Sequence, residues 1–374
     1  MLLCRIRRAV VIGGATLSAM PAAALQKSIE AKTPPPVARK KPGKHKAVPI
    51  GDDGVPDLVT YGRRADVMAF ADAIAERRGL DTGWVRSALE QSRFVPNVAR
   101  YIMPPPAGTA KNWAAYRARF VEPIRIRAGV AFWSANEKWL ALAEELYGVP
   151  PEIVVGIIGV ESIFGRQMGN FRIIDALATL AFDFPVGRKD RSEFFKDELE
   201  SWFVLCKSEG IDPVAWKGSY AGAIGMAQFM PSSFNKYAVD LDGDGHVDLH
   251  ASAADVIGSV AHYMAEFGWK RGLPVRFEVK PPTDSSDRAA LLAPDIVPTF
   301  SAAEMLARGA WLPPEAASVD SALALVELQN GAAAPSYVAG TSNFYAVTRY
   351  NWSSYYAMAV VELGEAVLAA RAKT

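Results

Sequence analysis

Apolar residues along most of the chain recur at helical spacing. Two early segments show this most clearly, with apolar stripes at Val67, Phe70, Ala71 and Ile74 and at Trp139, Leu142, Ala143 and Leu146. Such stripes predict amphipathic helices that each bury one face. The same pattern predicts further helices over residues 174–181, 192–208, 253–267 and 355–370.

The segment 148–165 differs from these helices because it is apolar on almost all sides. Pro150 and Pro151 lie near its start and Gly165 lies at its end, and prolines at the start with a glycine at the end are typical helix boundaries. A helix without a polar face belongs in the centre of a domain. Glu161 shares a predicted stripe with the apolar residues between Val154 and Phe164, so we expect its carboxylate to face the interior.

Burying a carboxylate in the interior of a protein costs free energy, so its presence there must be explained by a partner or by a function. Apolar surroundings disfavour the ionised form, and the resulting rise in pKa lets Glu161 donate a proton near neutral pH, as a glycosidic general acid must. The alternative is a structural glutamate that is neutralised by Arg166 or Arg172. The helix alone supports both interpretations.

The character of the sequence changes between Pro274 and Gly340. Short apolar runs there predict strands at 275–279, 322–328 and 336–338. We therefore expect a mainly α (α+β) fold in which a small β-containing insertion interrupts the helices.

The first residues have the pattern of a secretory signal. Three arginines precede an apolar run from Ala9 to Met20, and Ala22 and Ala24 fit the small-residue cleavage pattern. The run is shorter than the roughly 20 residues of a spanning helix, which argues against an uncleaved anchor. We expect residues 1–24 to be a signal peptide and the protein to reach the periplasm of a Gram-negative bacterium.

Residues 25–60 are rich in proline and lysine, which predicts an unpacked linker. It is either a solvated spacer or an arm attracted to an anionic wall or membrane surface, and we favour the spacer. Loss of the leader changes the formal charge from 41 − 40 = +1 to 38 − 40 = −2. The chain therefore has no global basic field for nucleic acid.

The two cysteines predict neither a lipid anchor nor a disulfide. Cys4 lies in the predicted leader, too early for a lipid-attachment cysteine after an apolar region. Cys206 is then alone, so no intrachain disulfide forms despite the oxidising compartment. We expect Cys206 to be a small buried apolar residue instead of a nucleophile.

A second candidate site is the segment 217–233, which is rich in glycine and alanine. Small residues let the backbone approach a ligand closely, and Ser219, Gln228 and Met230 would present groups to it. Close helix packing by the same small residues is the alternative, although Gln228 before Phe229 is an unusual choice for packing alone.

The segment 240–251 begins like a calcium-binding loop. Asp240, Asp242 and Asp244 are followed by a glycine at the sixth position. Position twelve is Ala251 instead of glutamate, so the standard loop is incomplete. From these residues alone, a solvated turn of aspartate and glycine is the preferred explanation.

Several ordered motifs together resemble the B-type lytic murein transglycosylases. They are Glu161-Ser162 with its helix, the segment 222–231, Arg349-Tyr350-Asn351, and the stretches 116–133, 175–182 and 355–360. The similarity spans about residues 60 to 372. It implies a lysozyme-like helical core with an extra helical domain and a small β-containing insertion.

The resemblance also implies a reaction, the non-hydrolytic cleavage of the β-1,4 bond between N-acetylmuramic acid and N-acetylglucosamine in peptidoglycan. In that family one glutamate, which Glu161 matches, protonates the bridging oxygen and then takes the proton of the C6 hydroxyl. The product ends in a 1,6-anhydro sugar, and no cofactor takes part in catalysis. One group that acts as acid and then as base needs a pKa near the working pH.

The resemblance further implies a substrate-binding groove. The matching positions are Tyr116, Ser219, Gln228, Phe229, Met230, Tyr263, Tyr350, Asn351 and Tyr356. The family's Pro-Arg-Arg motif is altered within residues 185–195, which leaves Arg188 and Arg191 as candidates for contact with a peptide or a muramyl carboxylate. We favour Arg191 because it keeps its distance to the two phenylalanines that follow.

With the resemblance, Ca²⁺ or another hard cation becomes the favoured interpretation of the aspartate loop. The family's lengthened loop implies ligands from Asp240, Asp242, Asp244, the carbonyl of His246, and Asp255. The expected role of the ion is structural, because it would fix the groove wall near Gln228.

The expected division of the chain is a signal peptide at 1–24, a linker at 25–60, a helical domain at 61–147, the catalytic core with its calcium loop at 148–272, a β-containing subdomain at 273–340 and the end of the core at 341–374. The expected partners are peptidoglycan glycan strands and complexes for cell-wall synthesis or remodelling, with no nucleic acid, and the expected state is a monomer. Two rivals remain: a hydrolytic muramidase with a second carboxylate such as Asp183, and a non-catalytic wall-binding protein.

Overall fold

The computed structural model describes residues 60–104 and 111–373. The predicted signal peptide and almost all of the predicted linker lie outside the described residues. Within them the chain is mostly helical with small antiparallel sheets, which confirms the predicted fold class. None of the described helices is long and apolar enough to cross a membrane.

The helices account for most of the described chain. A 3-10 turn at Tyr61–Arg63 precedes α1 (Ala65–Arg78), α2 (Thr82–Glu90), α3 (Pro96–Tyr101), α4 (Trp113–Arg117), α5 (Pro123–Ala135), α6 (Glu137–Tyr147) and α7 (Pro151–Ser162). Then follow α8 (Ile173–Phe182), α9 (Ser192–Ser208), α10 (Pro231–Tyr237), α11 (Ala253–Glu266), α12 (Ser285–Leu292), α13 (Ala302–Ala307), α14 (Pro314–Ala317), α15 (Ser342–Tyr350) and α16 (Ser354–Arg371).

Two small sheets complete the fold. Strand β1 (Phe171–Arg172) pairs antiparallel with β2 (Lys217–Gly218). Strands β3 (Arg276–Glu278), β4 (Ala324–Asn330) and β5 (Ala333–Gly340) form an antiparallel sheet with β5 in the middle. This sheet and α12 to α14 enclose an apolar cluster of their own, which is separate from the main core.

The helix that carries Glu161 lies in the centre of the main core, as its apolar sequence predicts. Between Ile153 and Val160 every residue of α7 is buried. Two glycines allow α7 and α16 to cross closely: a Cβ on Gly156 would lie 2.3 Å from the carbonyl oxygen of Val360, and one on Gly364 would lie 2.1 Å from that of Glu152. This crossing brings the start of α16 against the end of α7.

Two details of the helix predictions were wrong. The Glu161 helix ends at Ser162, before the predicted glycine, because Ile163 and Phe164 adopt left-handed backbone with φ of 53° and 54°. Phe164 therefore leaves the predicted stripe. In α6, Leu146 is 57% exposed and Leu140 is buried in its place, so the buried face lies beside the predicted stripe.

Candidate active site and cation loop

Glu161 is the second-to-last residue of α7, where the buried helix meets an open groove. Its carboxylate accepts a hydrogen bond from Tyr356 at the start of α16, with 2.6 Å between Oη and Oε1. Burial raises the pKa of Glu161 to about 7, although the hydrogen bond from Tyr356 acts in the opposite direction. A carboxyl group in this state can both donate and accept a proton near neutral pH.

The structure decides between the two interpretations of this buried carboxylate. Arg172 pairs with Asp175 at 3.4 Å, and Arg166 is exposed to solvent. Among the ion pairs of the described residues, none joins a basic side chain to Glu161. The carboxyl group is therefore not neutralised by a cation, and its proton is the remaining means of removing the buried charge.

The groove around Glu161 brings together most of the side chains that the resemblance assigned to it. Lining residues from that set are Arg191, Ser219, Gln228, Met230, Tyr263, Tyr350 and Asn351. They come from the residue before α9, the loop between β2 and α10, helix α11, the end of α15 and the α15–α16 connection. One groove wall is thus assembled from segments that lie far apart in the sequence.

Four of the predicted groove residues are not among those that line the groove. Tyr356 is fully buried and reaches Glu161 instead of the open groove. Tyr116 packs against Trp113 and Tyr355, and its pKa is raised by burial and then by the charge of Glu161. Tyr116 is therefore a neighbour of the carboxylate, although it is not among the groove-lining residues.

Phe229 and Arg188 do not line the groove either. Phe229 is 2% exposed, and its ring packs between those of Tyr263 and Tyr350, with centroids 5.5 Å and 5.8 Å away. Arg188 lines a neighbouring pocket and donates a hydrogen bond to the carbonyl of Ile102. Sequence similarity does not distinguish such supporting positions from surface that a ligand can reach.

The groove loop is held in shape by its own polar side chains. Ser219 Oγ accepts the N–H groups of Ala221 and Ala223 at 3.2 Å and 3.0 Å. Gln228 has left-handed backbone with φ of 50°, and its side-chain amide donates to the carbonyls of Met168 and Gly225. Strained backbone of this kind is often found at ligand sites, where the surrounding structure holds it in place.

Two polar atoms in the groove have no partner within the described protein. Arg191 stacks its guanidinium over Phe194 at 4.3 Å, while its Nη1 is buried and unpaired. Burial lowers the pKa of Arg191, and the nearby Arg188 lowers it further. Asn351 Oδ1 is likewise buried and unpaired. Arg191 and Asn351 both line the groove, so each brings one unsatisfied polar atom to its wall.

Glu198 also lines the groove, although it was not among the residues predicted from the sequence. It is 3% exposed and accepts hydrogen bonds from Ser232, at 2.9 Å from the backbone N–H and 2.6 Å from the hydroxyl. An available signal was its position beside Phe195, Leu199 and Trp202 on the apolar face of α9. A charged residue on an apolar face had already marked Glu161.

Asp183, the candidate second carboxylate of a hydrolytic enzyme, lies outside the groove lining. Its carboxylate accepts hydrogen bonds from Tyr61 at 2.6 Å and from Arg64 at 2.8 Å and 2.9 Å. These contacts join the first described turn to the end of α8. Asp183 is therefore a structural residue.

The aspartate loop forms a compact cluster of carboxylates. Ligand oxygens of Asp240, Asp242 and Asp244 all lie within 4.8 Å of one another. Asp240 accepts the backbone N–H groups of Gly243 at 2.7 Å and Gly245 at 2.8 Å, and these bonds lower its pKa. Three convergent carboxylates suit a hard cation such as Ca²⁺, which prefers oxygen ligands.

Asp255, the predicted late ligand, borders this loop from the start of α11. It is 1% exposed and lies outside the carboxylate cluster. Its two oxygens accept the backbone N–H groups of Leu241 at 3.0 Å and Asp248 at 2.8 Å. His246 points its backbone N–H at Asp244, at 2.9 Å. In this conformation Asp255 ties the two halves of the loop together.

Comparisons with known proteins identify the family of the chain. A family model described as "Transglycosylase SLT domain" matches residues 62–365. Membrane-bound lytic murein transglycosylase B of Escherichia coli is 37% identical over 342 residues, which cover 87% of either chain. These matches span almost all of the described residues.

Solved structures of lytic transglycosylases are also similar to this chain. Soluble lytic transglycosylase SltB1 from Pseudomonas aeruginosa superposes with a TM-score of 0.74 at 38% identity, over 82% of this chain and 99% of that one. Escherichia coli lytic transglycosylase Slt35 in complex with calcium superposes with a TM-score of 0.73 at 37% identity, over 84% of this chain and 97% of that one. Pseudomonas aeruginosa SltB3 in complex with NAG-anhNAM-pentapeptide superposes with a TM-score of 0.66 at 28% identity, over 81% of this chain and 79% of that one.

The family model alone covers well over half of the chain, and the Escherichia coli relative exceeds 30% identity over most of it. The predicted resemblance is thereby confirmed, together with the lysozyme-like type of fold that it implies. The chain belongs to the family of lytic transglycosylases with a transglycosylase SLT domain.

Proposed function

We propose that this protein is a lytic transglycosylase that cleaves the MurNAc-β-1,4-GlcNAc bond of peptidoglycan without water and leaves 1,6-anhydromuramyl ends, for cell-wall turnover or remodelling. The observation that carries the proposal is the Glu161 carboxyl group, which faces the groove with a pKa of about 7 and has Tyr356 as its hydrogen-bond partner. This group has the protonation behaviour that a combined acid and base requires.

Glu161 acts twice in the proposed reaction. Its carboxyl proton passes to the bridging oxygen as the bond from C1 of the muramyl residue to that oxygen breaks, so the leaving sugar departs with a neutral hydroxyl. The carbonyl oxygen of the substrate's own N-acetyl group stabilises the positive charge at C1. The Glu161 carboxylate then takes the proton of the C6 hydroxyl while that oxygen bonds to C1. The enzyme returns to its starting protonation state.

The groove supplies the contacts that hold the sugar in place. The faces of Tyr263 and Tyr350 suit sugar rings, and the unpaired Oδ1 of Asn351 suits an N–H or hydroxyl donor. We assign the carboxylate of the muramyl or peptide group to Arg191, because its buried Nη1 has no protein partner. Arg188 already bonds to a backbone carbonyl, so it is the weaker candidate.

Hydrolysis by a muramidase is the rival reaction, in which water instead of the C6 hydroxyl attacks C1, and the form of it considered above uses a second carboxylate. Asp183 is engaged by Tyr61 and Arg64, and both oxygens of Glu198 are engaged by Ser232. Both carboxylates therefore have structural partners. The relative SltB3 was solved in complex with NAG-anhNAM-pentapeptide, a ligand with an anhydromuramyl end, which also supports the non-hydrolytic route for this chain.

Mass spectrometry of the products tests the proposal directly. Digestion of purified peptidoglycan is expected to release muropeptides with 1,6-anhydro ends, which are about 18 Da lighter than hydrolytic products, the mass of one water. Reducing muramyl ends as the main product would overturn it in favour of a muramidase. Binding without any release of soluble muropeptides would favour a non-catalytic wall-binding protein.

Further assignments rest on the same family. We propose that the carboxylates of Asp240, Asp242 and Asp244 hold Ca²⁺ with the carbonyl of His246 and with Asp255 as the late carboxylate, as a structural ion. We also propose a monomeric periplasmic protein that acts on glycan strands, alongside complexes for cell-wall synthesis or remodelling. The separate apolar cluster of Phe277, Leu291 and Leu325 supports a β-containing subdomain at 273–340, between a core at 148–272 and its end at 341–374, with a helical domain at 61–147.

A further inference from the structure

Trp352 is a large aromatic residue beside the groove that the proposed mechanism leaves without a role. It directly follows Asn351, which lines the groove, and it lies in the short connection between α15 and α16. The side chain is 38% exposed, whereas Trp113, Trp133 and Trp202 are buried in the core. With roughly 250 Å² for a tryptophan side chain, this exposure corresponds to roughly 100 Å² of open surface.

Arg349 connects this tryptophan to the groove. It lines the groove, and its guanidinium carbon lies 4.8 Å from the centre of the Trp352 ring and 5.5 Å from that of Phe267. Tyr345 packs edge-on against Trp352 at 5.9 Å. The ring is therefore held in one orientation at the rim, with Arg349 against it.

Most N–H donors of the Arg349 guanidinium have no hydrogen-bond partner among the described residues. Its hydrogen bond to the Tyr345 hydroxyl is long, at 3.5 Å, and none of the ion pairs of the described residues includes it. Five N–H groups in a fixed plane can bind hydroxyl and acetamido oxygens. A fixed flat ring next to such donors suits a sugar, which presents an apolar ring face and polar edges.

We propose that Trp352 and Arg349 form an additional sugar subsite at the rim of the groove, which binds a ring of the glycan strand beyond the two sugars at the cleaved bond. The inference rests on the proposed function and deepens it. An outer subsite adds binding only for strands long enough to reach it. The enzyme should therefore prefer long glycan strands to short ones through this ring.

The test compares kcat/KM for long glycan strands with kcat/KM for strands of two disaccharides. Trp352→Ala is expected to lower this long-to-short ratio about tenfold, which corresponds to about 1.4 kcal/mol. Trp352→Tyr keeps a flat ring and should lower the ratio less than about threefold. The matched control is Trp311→Ala, because Trp311 is 45% exposed with Lys280 over its ring, and Lys280, unlike Arg349, is not a groove-lining residue. That variant should leave the ratio unchanged.

A binding measurement separates this inference from the proposed reaction. In a Glu161→Gln background, adding Trp352→Ala should weaken binding of long strands about tenfold, and adding Trp311→Ala should not. This readout needs no turnover, so it decides on the subsite even if the product analysis contradicts the transglycosylase reaction. Ratios and affinities within about twofold of the parent protein for a folded Trp352→Ala variant would overturn the subsite. An effect of Trp311→Ala as large as that of Trp352→Ala would also overturn the subsite.

Discussion

Glu161 and Asp240 carry the same chemical group in opposite environments. Glu161 ends a buried helix, and burial raises its pKa to about 7. Asp240 lies in an exposed loop, where hydrogen bonds from backbone N–H groups lower its pKa. The N–H of Gly245 has the largest effect. Solvent exposure and hydrogen-bond donors thus decide whether a carboxyl group keeps its proton or its charge.

The difference suits each carboxylate to a separate task. A protonated Glu161 can transfer a proton to a sugar oxygen, which a permanently ionised aspartate cannot do. Charged Asp240, Asp242 and Asp244 repel one another at close range, and a divalent cation removes that repulsion. The groove is therefore suited to proton transfer, and the loop is suited to cation binding. Each of the following experiments tests one side of this contrast.

The largest expected effect comes from Glu161→Gln. Glutamine has the same shape and can still accept the Tyr356 hydrogen bond, but it has no proton to transfer. The release rate of anhydromuropeptides should fall by about 10³-fold or more, within the range of general acid–base catalysis. Asp183→Asn is the control, because Asp183 lies outside the groove lining. An equal loss in a folded Asp183→Asn variant would indicate two catalytic carboxylates.

The next effect concerns Tyr356→Phe, which removes the hydrogen bond that lowers the pKa of Glu161. The rate should fall about tenfold, as for the loss of one buried hydrogen bond to a charged group. Because the active form of free Glu161 is protonated, kcat/KM should decline as the pH rises through about 7. In Tyr356→Phe that decline should move to higher pH.

The control for this shift is Tyr350→Phe. The Tyr350 hydroxyl donates to the carbonyl of Ala227 instead of Glu161. Its loss can lower the rate, but it should leave the alkaline limb of the pH profile where it is. The same displacement of that limb in both variants would show that Tyr356 has no particular influence on the carboxylate.

Much of the fold follows from local sequence patterns. The helix predicted at 192–208 has the observed bounds, and the three predicted strands all lie in the sheet of β3, β4 and β5. Local patterns fail where tertiary contacts decide. The predicted stripe of α6 placed Leu146 inside, yet its neighbours in the fold bury Leu140.

The candidate site was predicted unevenly, for a related reason. A charged residue on an apolar helix is visible in the sequence, so Glu161 could be chosen from its own segment. Its partner Tyr356 lies 195 positions later, and only the crossing of α7 and α16 brings the two together. Similarity to the family named the right region but could not separate Phe229, which is buried, from groove residues such as Met230.

Removal of the cation should have a moderate effect on stability. At a concentration of about 100 times its dissociation constant, an ion stabilises the folded state by about 2.7 kcal/mol. Ca²⁺ should therefore raise the melting temperature by about 5 °C over the value with a chelator. Asp242→Asn should lose most of this increment, since it removes one charge while the amide can still accept the Ser252 hydrogen bond.

The control for the cation experiment is Asp284→Asn. Asp284 is also an exposed aspartate that accepts backbone N–H groups, but it caps α12 outside the loop. Its replacement should leave the increment from Ca²⁺ intact. Equal melting temperatures with Ca²⁺ and with chelator in the wild-type protein would show that the carboxylate cluster is a solvated turn.

The smallest expected effect is a pair of opposite pH dependences of stability, measured with a chelator present. The folded state raises the pKa of Glu161 above its unfolded value of about 4.3, so the wild-type protein loses stability as the pH rises from about 4 to 7. Glu161→Gln does not titrate. Its melting temperature relative to wild type should therefore increase between pH 4 and pH 8, by about 2 °C for about 1 kcal/mol in a group that borders the open groove.

Asp240→Asn should show the reverse. The folded state lowers the pKa of Asp240, so its ionised form contributes stability above its unfolded pKa, and that contribution is lost as the pH falls through the folded pKa. The variant should melt below wild type from pH 8 to pH 5, and the deficit should shrink below about pH 4. Parallel pH dependences for the two variants would contradict the contrast between the two carboxylates, because a shared response would mean that neither environment sets the proton affinity of its own group.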